Sequence, residues 1–302
     1  MINIIPTKEA IDFHESKISI FFEKIISDGY ILRNRKQKKL PDTFIRFLSD
    51  YKEDLISGTP QRLQEINEEF KKKHFSNYHK DLIKSTFIQT GYTNFQKNHA
   101  KEFLSKLNID SCVYCNRNYT LDIVKNRTRA ELDHWFPKES HYVLALSFYN
   151  LIPSCHSCNH IKHNNSPEGG WENAIININH PYSKDTNQSF TFNYILKDLK
   201  TPKTITRYNE TNLKVKKTLD FNKTREIYDT HSDRELIDLY NLRYKYSDNY
   251  LKILIDSFQN FTTKHEAYKL LFGIEVEEKD YHKRPFSKFK KDIIDELLKN
   301  TY

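Results

Sequence analysis

The stretch that decides the fold begins with Cys112-Val113-Tyr114-Cys115 and closes with Cys155-His156-Ser157-Cys158, and these two pairs hold all four cysteines of the chain. Two Cys-x2-Cys pairs are a common ligand set for a structural zinc ion, because each pair presents two sulfur atoms on one tight turn. Close pairs without further thiols favour metal binding in a reducing compartment over disulfides. We therefore predict a zinc clamp whose loss would unfold the segment that it joins.

Residues suited to catalysis lie between and just beyond the cysteine pairs. Glu131-Leu132-Asp133-His134-Trp135-Phe136-Pro137 places a carboxylate beside an imidazole, and Asn159-His160-Ile161-Lys162-His163 follows the second pair. An imidazole that is neutral near pH 7 can accept a proton. If a short helix runs from Ser157 to Asn164, Asn159 and His163 share one of its faces. The clamp therefore encloses candidate catalytic residues.

Apolar spacing predicts helices through the first hundred residues. The first ends at Asp28-Gly29, a second runs from Pro41-Asp42 to near Gly58, and a third contains Leu63 and Phe70. One or two more cover residues 82–107, with an interruption around Gly91. The basic run 33–39 is expected to be a solvated loop.

The pattern changes near residue 109. Residues 119–124 and 131–135 are β-prone and are joined by a polar, basic turn, which predicts a hairpin. Two further strands are predicted at 189–195 and 204–208, and helices from residue 212 to 270 and from 287 to 298. We therefore predict an α+β fold that is mainly helical. Its three regions are a helical one (1–108), a clamped module (109–185) and a small β segment followed by helices (186–302).

Composition limits the classes of function. The chain carries 48 Lys and Arg against 40 Asp and Glu, a net charge of +8 with a pI near 9.0. This balance suits a polyanionic partner, although a lysine-rich composition from AT-biased codons would produce it too. Neither an apolar run of ~18–20 residues nor a secretory signal pattern is present, so we expect a soluble, cytoplasmic protein with no membrane partner.

The chemistry-bearing residues resemble a known family, the HNH endonucleases of the zinc-knuckle type. The resemblance covers roughly residues 109–185 and is carried, in order, by Cys112-x2-Cys115, Asp133-His134, Asn150-Leu151, Cys155-x2-Cys158-Asn159 and Lys162. It implies a ββα-metal fold, in which a hairpin carries the first His, a loop carries the Asn and a helix carries the last ligand. It also implies metal-dependent hydrolysis of phosphodiester bonds in DNA.

The resemblance assigns a role to each matching position. His134 falls on the general base, Asp133 on the first ligand of the catalytic metal, and Asn150 on the residue that braces the loop and orients the His. The last ligand falls on Asn159 or on His163, because Asn159 stands where the plain pattern has His. Oxygen ligands would favour Mg²⁺ or Mn²⁺, whereas His163 would favour a softer ion. Lys138 and Lys162 are candidates for contacts with phosphate.

A narrower resemblance follows the module. Ile178-Asn179-His180-Pro181-Tyr182 is similar to a continuation found in HNH subunits of Septu-type anti-phage systems. It implies a role in phage defence beside an ABC/SMC-like ATPase partner. Two alternatives stay open: cleavage of RNA or tRNA by the same chemistry, and a non-catalytic zinc-knuckle protein that binds nucleic acid or acts as an adaptor. Asp133, His134 and Asn150 together argue against the second, because a zinc clamp needs none of them.

Overall fold

The computed structural model describes residues 1–124, 127–128, 130–163, 165–183, 189–197, 201–244, 250–259 and 263–299. In these ranges the chain is mainly helical, and its strands pair as four two-stranded antiparallel sheets. The predicted α+β class is therefore confirmed. None of the helices in these ranges combines the length and the apolar character needed to cross a bilayer.

Helices dominate residues 1–107, as predicted. The first begins where the Thr7 hydroxyl accepts a hydrogen bond from the Ala10 N–H at 3.1 Å. It ends at Gly29, whose φ of 68° is a left-handed conformation that glycine adopts without strain. The helix expected between residues 42 and 58 is in fact two helices that meet at Tyr51. The helices are α1 (Lys8–Asp28), α2 (Asp42–Asp50), α3 (Lys52–Ser57), α4 (Pro60–Lys71), α5 (Asn77–Ser85), α6 (Thr93–Asn98) and α7 (Ala100–Leu107).

The interruption predicted near Gly91 is confirmed as a π-helical segment, Thr86–Tyr92, between α5 and α6. A Cβ on Gly91 would lie 2.6 Å from Leu146 Cδ1 and 3.0 Å from the Phe21 ring, so any larger residue here would displace these packed side chains. π-Helical turns are rare and often lie at functional sites. This one ends at Tyr92, whose hydroxyl donates to the Leu132 carbonyl at 2.9 Å.

The basic run 33–39 is not the predicted loop. It belongs to a β-hairpin, in which β1 (Tyr30–Arg33) pairs with β2 (Lys36–Lys39). Asn34 and Arg35 connect the strands, and both have positive φ angles, 52° and 60°. A two-residue turn of this kind matches the twist of a hairpin. Ile31 is buried beneath the hairpin, and this apolar anchor explains why a charged segment forms regular structure.

The hairpin predicted across the basic turn 125–129 is wrong. β3 (Asp122–Val124) pairs with β4 (Arg127–Thr128), whereas β5 (Glu131–His134) pairs with β6 (Leu151–Ser154), and Lys125, Asn126 and Arg129 lie outside the described residues. Leu151 and Ile152 are fully buried beside β5. Burial of this apolar strand outweighs the shorter loop that local pairing would need.

The remaining elements agree with the predicted order. The helix expected after the second cysteine pair and the two strands after residue 189 are confirmed, as are the C-terminal helices. They are α8 (His156–Lys162), α9 (Ala174–Asn177), β7 (Phe190–Leu196), β8 (Pro202–Tyr208), α10 (Leu213–Phe221), α11 (Thr224–Asp229), α12 (Ile237–Tyr244), α13 (Tyr250–Gln259), α14 (Lys264–Phe272) and α15 (Ser287–Lys299).

Two clusters of buried apolar residues stabilise the described part of the chain. One runs from Met1 to Ile178, includes all four cysteines and is joined by Tyr281. The other runs from Phe190 to Leu297, where β7 and β8 pack against the C-terminal helices. The division into regions 1–108, 109–185 and 186–302 stays a prediction.

Candidate metal centre and adjoining pocket

The four cysteines form one buried cluster. Their Sγ atoms all lie within 4.8 Å of one another, and the Cys115 and Cys155 sulfurs are 4.0 Å apart. A tetrahedral ion with bonds of ~2.3 Å would hold its sulfur ligands ~3.8 Å apart. Hydrogen bonds between the sulfurs lower the pKa of Cys115 and of Cys155, toward the thiolate form that zinc requires, whereas burial raises the pKa of Cys112 and hydrogen bonds raise that of Cys158. The cluster therefore fits a structural zinc ion, as its spacing predicted.

The first cysteine pair is held in place by residues from the C-terminal region. Asn116 follows the pair with a positive φ of 48°, and its amide donates to the carbonyl of Tyr281 at 2.9 Å. The Tyr228 hydroxyl donates to the Cys115 carbonyl at 2.5 Å. Asn118 donates to the Cys155 sulfur at 3.3 Å, which links the two pairs. These contacts stabilise the turn that presents the sulfurs.

An open pocket of about 270 Å³ adjoins this cluster, between β5 and α8. It brings together four of the five predicted catalytic residues, Asp133, His134, Asn159 and His163. Asn150 is fully buried behind them and does not line it. The lining consists of Glu131, Leu132, Asp133, His134, Pro137, Lys138, Glu139, His156, Asn159, His160 and His163.

His134 is 4% exposed at the end of β5. Its Nε2 lies 3.0 Å from the Ala145 carbonyl. Because a carbonyl only accepts, Nε2 carries the proton of the neutral ring, and Nδ1 is left as the acceptor. The Tyr92 ring packs edge-on at 4.4 Å. Burial, and then the charges of Lys138 and Lys162, lowers the pKa of His134 to about 3, so the imidazole is neutral at pH 7.

Asp133 is buried beside Lys162. The Tyr114 hydroxyl donates to Asp133 Oδ2 at 2.6 Å, and Lys162 Nζ lies 3.0 Å from the same oxygen. Lys162 Nζ also donates to the His134 carbonyl at 2.6 Å. The expectation that Lys162 contacts phosphate is therefore wrong, because its ammonium group is enclosed by protein acceptors. Lys138 does line the pocket, 5.1 Å from the centre of the Tyr92 ring.

Asn150 is the last residue of the loop between β5 and β6, and its side chain holds the end of that loop against its beginning and its middle. Its Oδ1 accepts from the Phe136 N–H at 2.7 Å, and its Nδ2 donates to the Leu144 carbonyl at 2.9 Å. Its own carbonyl accepts from the Trp135 N–H at 3.0 Å. Leu144 precedes Ala145, whose carbonyl holds the His134 ring. Asn150 thus contacts the residue that directly precedes the one whose carbonyl orients the imidazole.

Asn159 and His163 occupy different positions on α8. Asn159 lies within the helix, and its Nδ2 donates to Glu131 Oε2 at 2.7 Å. His163 follows the last helical residue with a positive φ of 35°, so the backbone leaves the helical path there. Both residues line the pocket. The helix ends sooner than predicted, and Asn164 lies outside the described residues.

Glu131 is a pocket residue that the sequence reasoning missed. Its carboxylate bridges Asn159 and His156, whose Nδ1 lies 2.7 Å from Glu131 Oε1. This contact raises the pKa of His156. The signal was present in the sequence, because residues two apart on a strand share a face and Glu131 precedes Asp133 by two.

The pocket offers few ligands to a second metal ion. In the described ranges, no three His, Asp, Glu or Cys side chains apart from the cysteine cluster bring their ligand atoms within 4.8 Å. The carboxylate of Asp133 and the amide oxygen of Asn159 could hold a divalent ion that keeps most of its water. Mg²⁺ and Mn²⁺ accept oxygen ligands of this kind, and Mg²⁺ commonly retains several waters.

Comparisons with known proteins give one informative match. Over 152 residues the chain is 31% identical to Septu protein PtuB from Bacillus thuringiensis, which covers 49% of this chain and 50% of that protein. No family model matches, and no solved structure does. The chain thus spans about half the length of the curated relative that it matches. This match is a similarity to a Septu protein over half of each chain.

Proposed function

We propose that this chain is a metal-dependent endonuclease of the HNH type that hydrolyses phosphodiester bonds in DNA. The observation that carries the proposal is the state of His134: its Nε2 is fixed by the Ala145 carbonyl, which leaves Nδ1 free to accept a proton in a pocket that Asp133 also lines. The order β5, loop with Asn150, β6 and α8 supports a ββα-metal module within residues 109–185. An adaptor that only binds zinc would need none of this arrangement.

The proposed reaction begins when His134 Nδ1 accepts a proton from a water molecule. The water oxygen bonds to phosphorus, the bond from phosphorus to the 3′-oxygen breaks, and the 3′-oxygen gains a proton from solvent. Asp133 and Asn159 would hold Mg²⁺ or Mn²⁺, with His163 as the alternative to Asn159. When bound, the ion would stabilise negative charge on the phosphate and on the leaving oxygen. The phosphate's negative charge would raise the low pKa of His134 toward working pH.

The cations of the β1–β2 hairpin support a nucleic-acid substrate. In the described residues, Arg35, Lys36 and Lys38 of the β1–β2 hairpin make no ion pair, whereas Arg33 contacts Asp81 of α5. On the same helix, Lys84 pairs at 2.7 Å with Glu139, which lines the pocket. One helix thus joins the hairpin to the pocket rim. Unpaired cations on this hairpin suit contacts with a phosphate backbone.

The similarity to Septu protein PtuB supports a role in anti-phage defence. An ABC/SMC-like ATPase is the partner that we propose, as the resemblance of residues 178–182 implies. Co-expression with the ATPase of a neighbouring gene, followed by pull-down, tests the partner. We expect a stable complex that elutes as one peak in size-exclusion chromatography. Full nuclease activity of the isolated chain, with no complex formed, would contradict the proposed partner.

The test of the nuclease compares wild type with His134→Ala on plasmid, single-stranded DNA and tRNA, each with Mg²⁺ and Mn²⁺. Loss of the base should slow cleavage by ~10²–10⁴-fold. Zinc content should stay unchanged and the protein should stay folded, although loss of the Ala145 contact and of the packing on Tyr92 lowers the unfolding temperature. The exposed-histidine variant His74→Ala should behave as wild type. Equal nicking by His134→Ala would refute the assignment. Cleavage of tRNA alone would favour the RNA alternative, and an inert wild type with all metals would favour the non-catalytic protein.

A further inference from the structure

Each cysteine pair has a neighbouring residue that contacts the carboxylate of Asp133. Tyr114 lies between Cys112 and Cys115, and its hydroxyl is 2.6 Å from Asp133 Oδ2. Lys162 lies four residues after Cys158 on α8, therefore one turn along the same helical face, and its Nζ is 3.0 Å from that oxygen. One donor comes from each half of the zinc clamp. The position of Asp133 thus depends on both halves.

The contacts around Asp133 leave its side chain little freedom. Asp133 is 6% exposed and Lys162 4%, so water does not replace either partner easily. Lys162 also donates to the His134 carbonyl, which ties the backbone at the end of β5 to α8. The Trp171 ring lies 5.5 Å from Lys162 Nζ and covers it. A buried carboxylate with two donors keeps one orientation, because each alternative leaves a buried polar group without a partner.

We infer that Tyr114 and Lys162 are positioning residues that orient Asp133 toward the divalent ion of the pocket, and that the zinc clamp acts on the pocket through them. The inference rests on the proposed function, in which Asp133 holds that ion. Groups that hydrogen-bond to a metal-ligating carboxylate set its orientation, and their loss commonly costs 10–100-fold in metal affinity or activity. The zinc ion therefore has a second effect beyond stability: it aligns a ligand of another metal.

The test uses Tyr114→Phe, which removes one oxygen atom and keeps the packing, in the zinc-loaded full chain. Binding of Mn²⁺ is measured by electron paramagnetic resonance of the free ion, with Asp133→Asn to identify binding in the pocket. We expect Tyr114→Phe to weaken Mn²⁺ binding by ~10-fold, while the protein stays folded and keeps its zinc. Tyr119→Phe, a change at a half-exposed tyrosine near the same cysteine pair, is the matched control and should bind Mn²⁺ normally.

A second variant separates positioning from folding. Lys162→Met removes the ammonium group and keeps an unbranched side chain that is one atom shorter, and its control is Lys97→Met on the exposed face of α6. We expect Lys162→Met to weaken Mn²⁺ binding. For Tyr114→Phe, we expect a raised Mn²⁺ concentration to restore the cleavage rate toward that of the wild type. A merely unfolded variant would not recover with metal.

The inference would be overturned if Tyr114→Phe bound Mn²⁺ with the affinity of the wild type. It would also be overturned if Asp133→Asn bound Mn²⁺ as tightly as the wild type does. If the wild type binds Mn²⁺ through Asp133, Tyr114→Phe binds it more weakly and neither cleaves nucleic acid, the proposed nuclease fails while the positioning role stands. If it cleaves and Tyr114→Phe matches it at every Mn²⁺ concentration, the nuclease stands and the positioning role fails.

Discussion

The cysteine cluster and the pocket are built by the same two stretches of chain, yet they differ in nearly every chemical respect. The cluster has four identical ligands, all buried, and the space between them suits one tetrahedral ion. The pocket has mixed carboxylate, amide and imidazole groups and opens to solvent. Structural metal sites are closed in this way, whereas catalytic sites keep positions open for water and substrate. The closed site joins the two stretches of chain whose polar side chains line the open one.

The largest expected effect comes from opening the closed site. Cys158→Ser should release the zinc, because a hydroxyl is a poor ligand in a thiolate set. Structural zinc sites contribute on the order of 10 kcal/mol of apparent binding energy, so we expect β5, β6 and α8 to lose stable structure and activity to vanish. Metal content by mass spectrometry and hydrogen exchange of residues 130–163 are the measurements.

The neighbouring variant Ser157→Ala, at an exposed position, controls for local disturbance. It should retain zinc and structure. A Cys158→Ser protein that is zinc-free, folded and active would show that the two sites are independent, and would end the comparison.

The next effect concerns the loop that joins the two sites. Asn150→Ala removes the two buried side-chain contacts to Phe136 and the one to Leu144. With ~1 kcal/mol for each contact, the free energy of unfolding should fall by ~3 kcal/mol. The Ala145 carbonyl would then hold His134 less firmly, so cleavage should fall while zinc is kept. Urea unfolding and a cleavage assay measure both, and the exposed variant Asn98→Ala is the control. Unchanged stability would contradict the bracing contacts.

The next prediction concerns how stability depends on pH, and it compares His14, a buried imidazole of the core, with His134 in the pocket. His14 is fully buried among the rings of Phe95, Phe103 and Phe148, and burial lowers its pKa to about 3. Unfolding returns it to ~6.5, so the unfolded chain binds the extra proton, and stability from this group falls as pH drops from 6.5 toward 3.

His14→Leu should therefore reduce the loss of stability between pH 6.5 and 4 and leave the pocket unchanged. Thermal unfolding as a function of pH measures this, with the exposed variant His74→Leu as control. An identical pH dependence in His14→Leu and wild type would refute the assignment of acid sensitivity to this core residue.

The smallest expected effect concerns DNA binding by the β1–β2 hairpin. The triple variant Arg35→Ala, Lys36→Ala, Lys38→Ala should weaken DNA binding and reduce the slope of log affinity against log salt by up to ~3. Hydrolysis of bis(p-nitrophenyl) phosphate, which is too small to reach the hairpin, should stay at the wild-type rate. A variant whose salt slope equals that of wild type would place the DNA surface elsewhere.

Sequence reasoning succeeded where chemistry and spacing are local. Four cysteines in two close pairs predicted a cluster that the structure contains, and apolar periodicity predicted most helices, including the interruption at Gly91. It failed where the outcome depends on distant partners. The strand that carries His134 pairs with Leu151–Ser154, because burying that strand outweighs closing the nearer turn. Lys162 lies inward for a similar reason, since Asp133 is its neighbour in space alone.

Two further misses had signals that local rules contain. Glu131 shares a strand face with Asp133, which alternation alone indicates. Asn34-Arg35 is a two-residue connection between β-prone segments, and asparagine tolerates the left-handed conformation that such a turn requires. The high local charge of residues 33–39 concealed the hairpin. The site's predicted roles stay predictions until the variants above are measured.

The π-helical segment Thr86–Tyr92 determines which way Tyr92 faces. Residues of an α-helix are spaced by ~100° around its axis, and a wider turn inserts one extra residue without lengthening the path of the helix. If this segment became a regular α-helix and kept all of its residues, the extra residue would no longer be absorbed, and every later side chain would rotate by ~100° relative to α5. Tyr92 would then leave the His134 ring, whose centre lies 4.4 Å from its own. The alignment of the two rings depends on this single irregular turn.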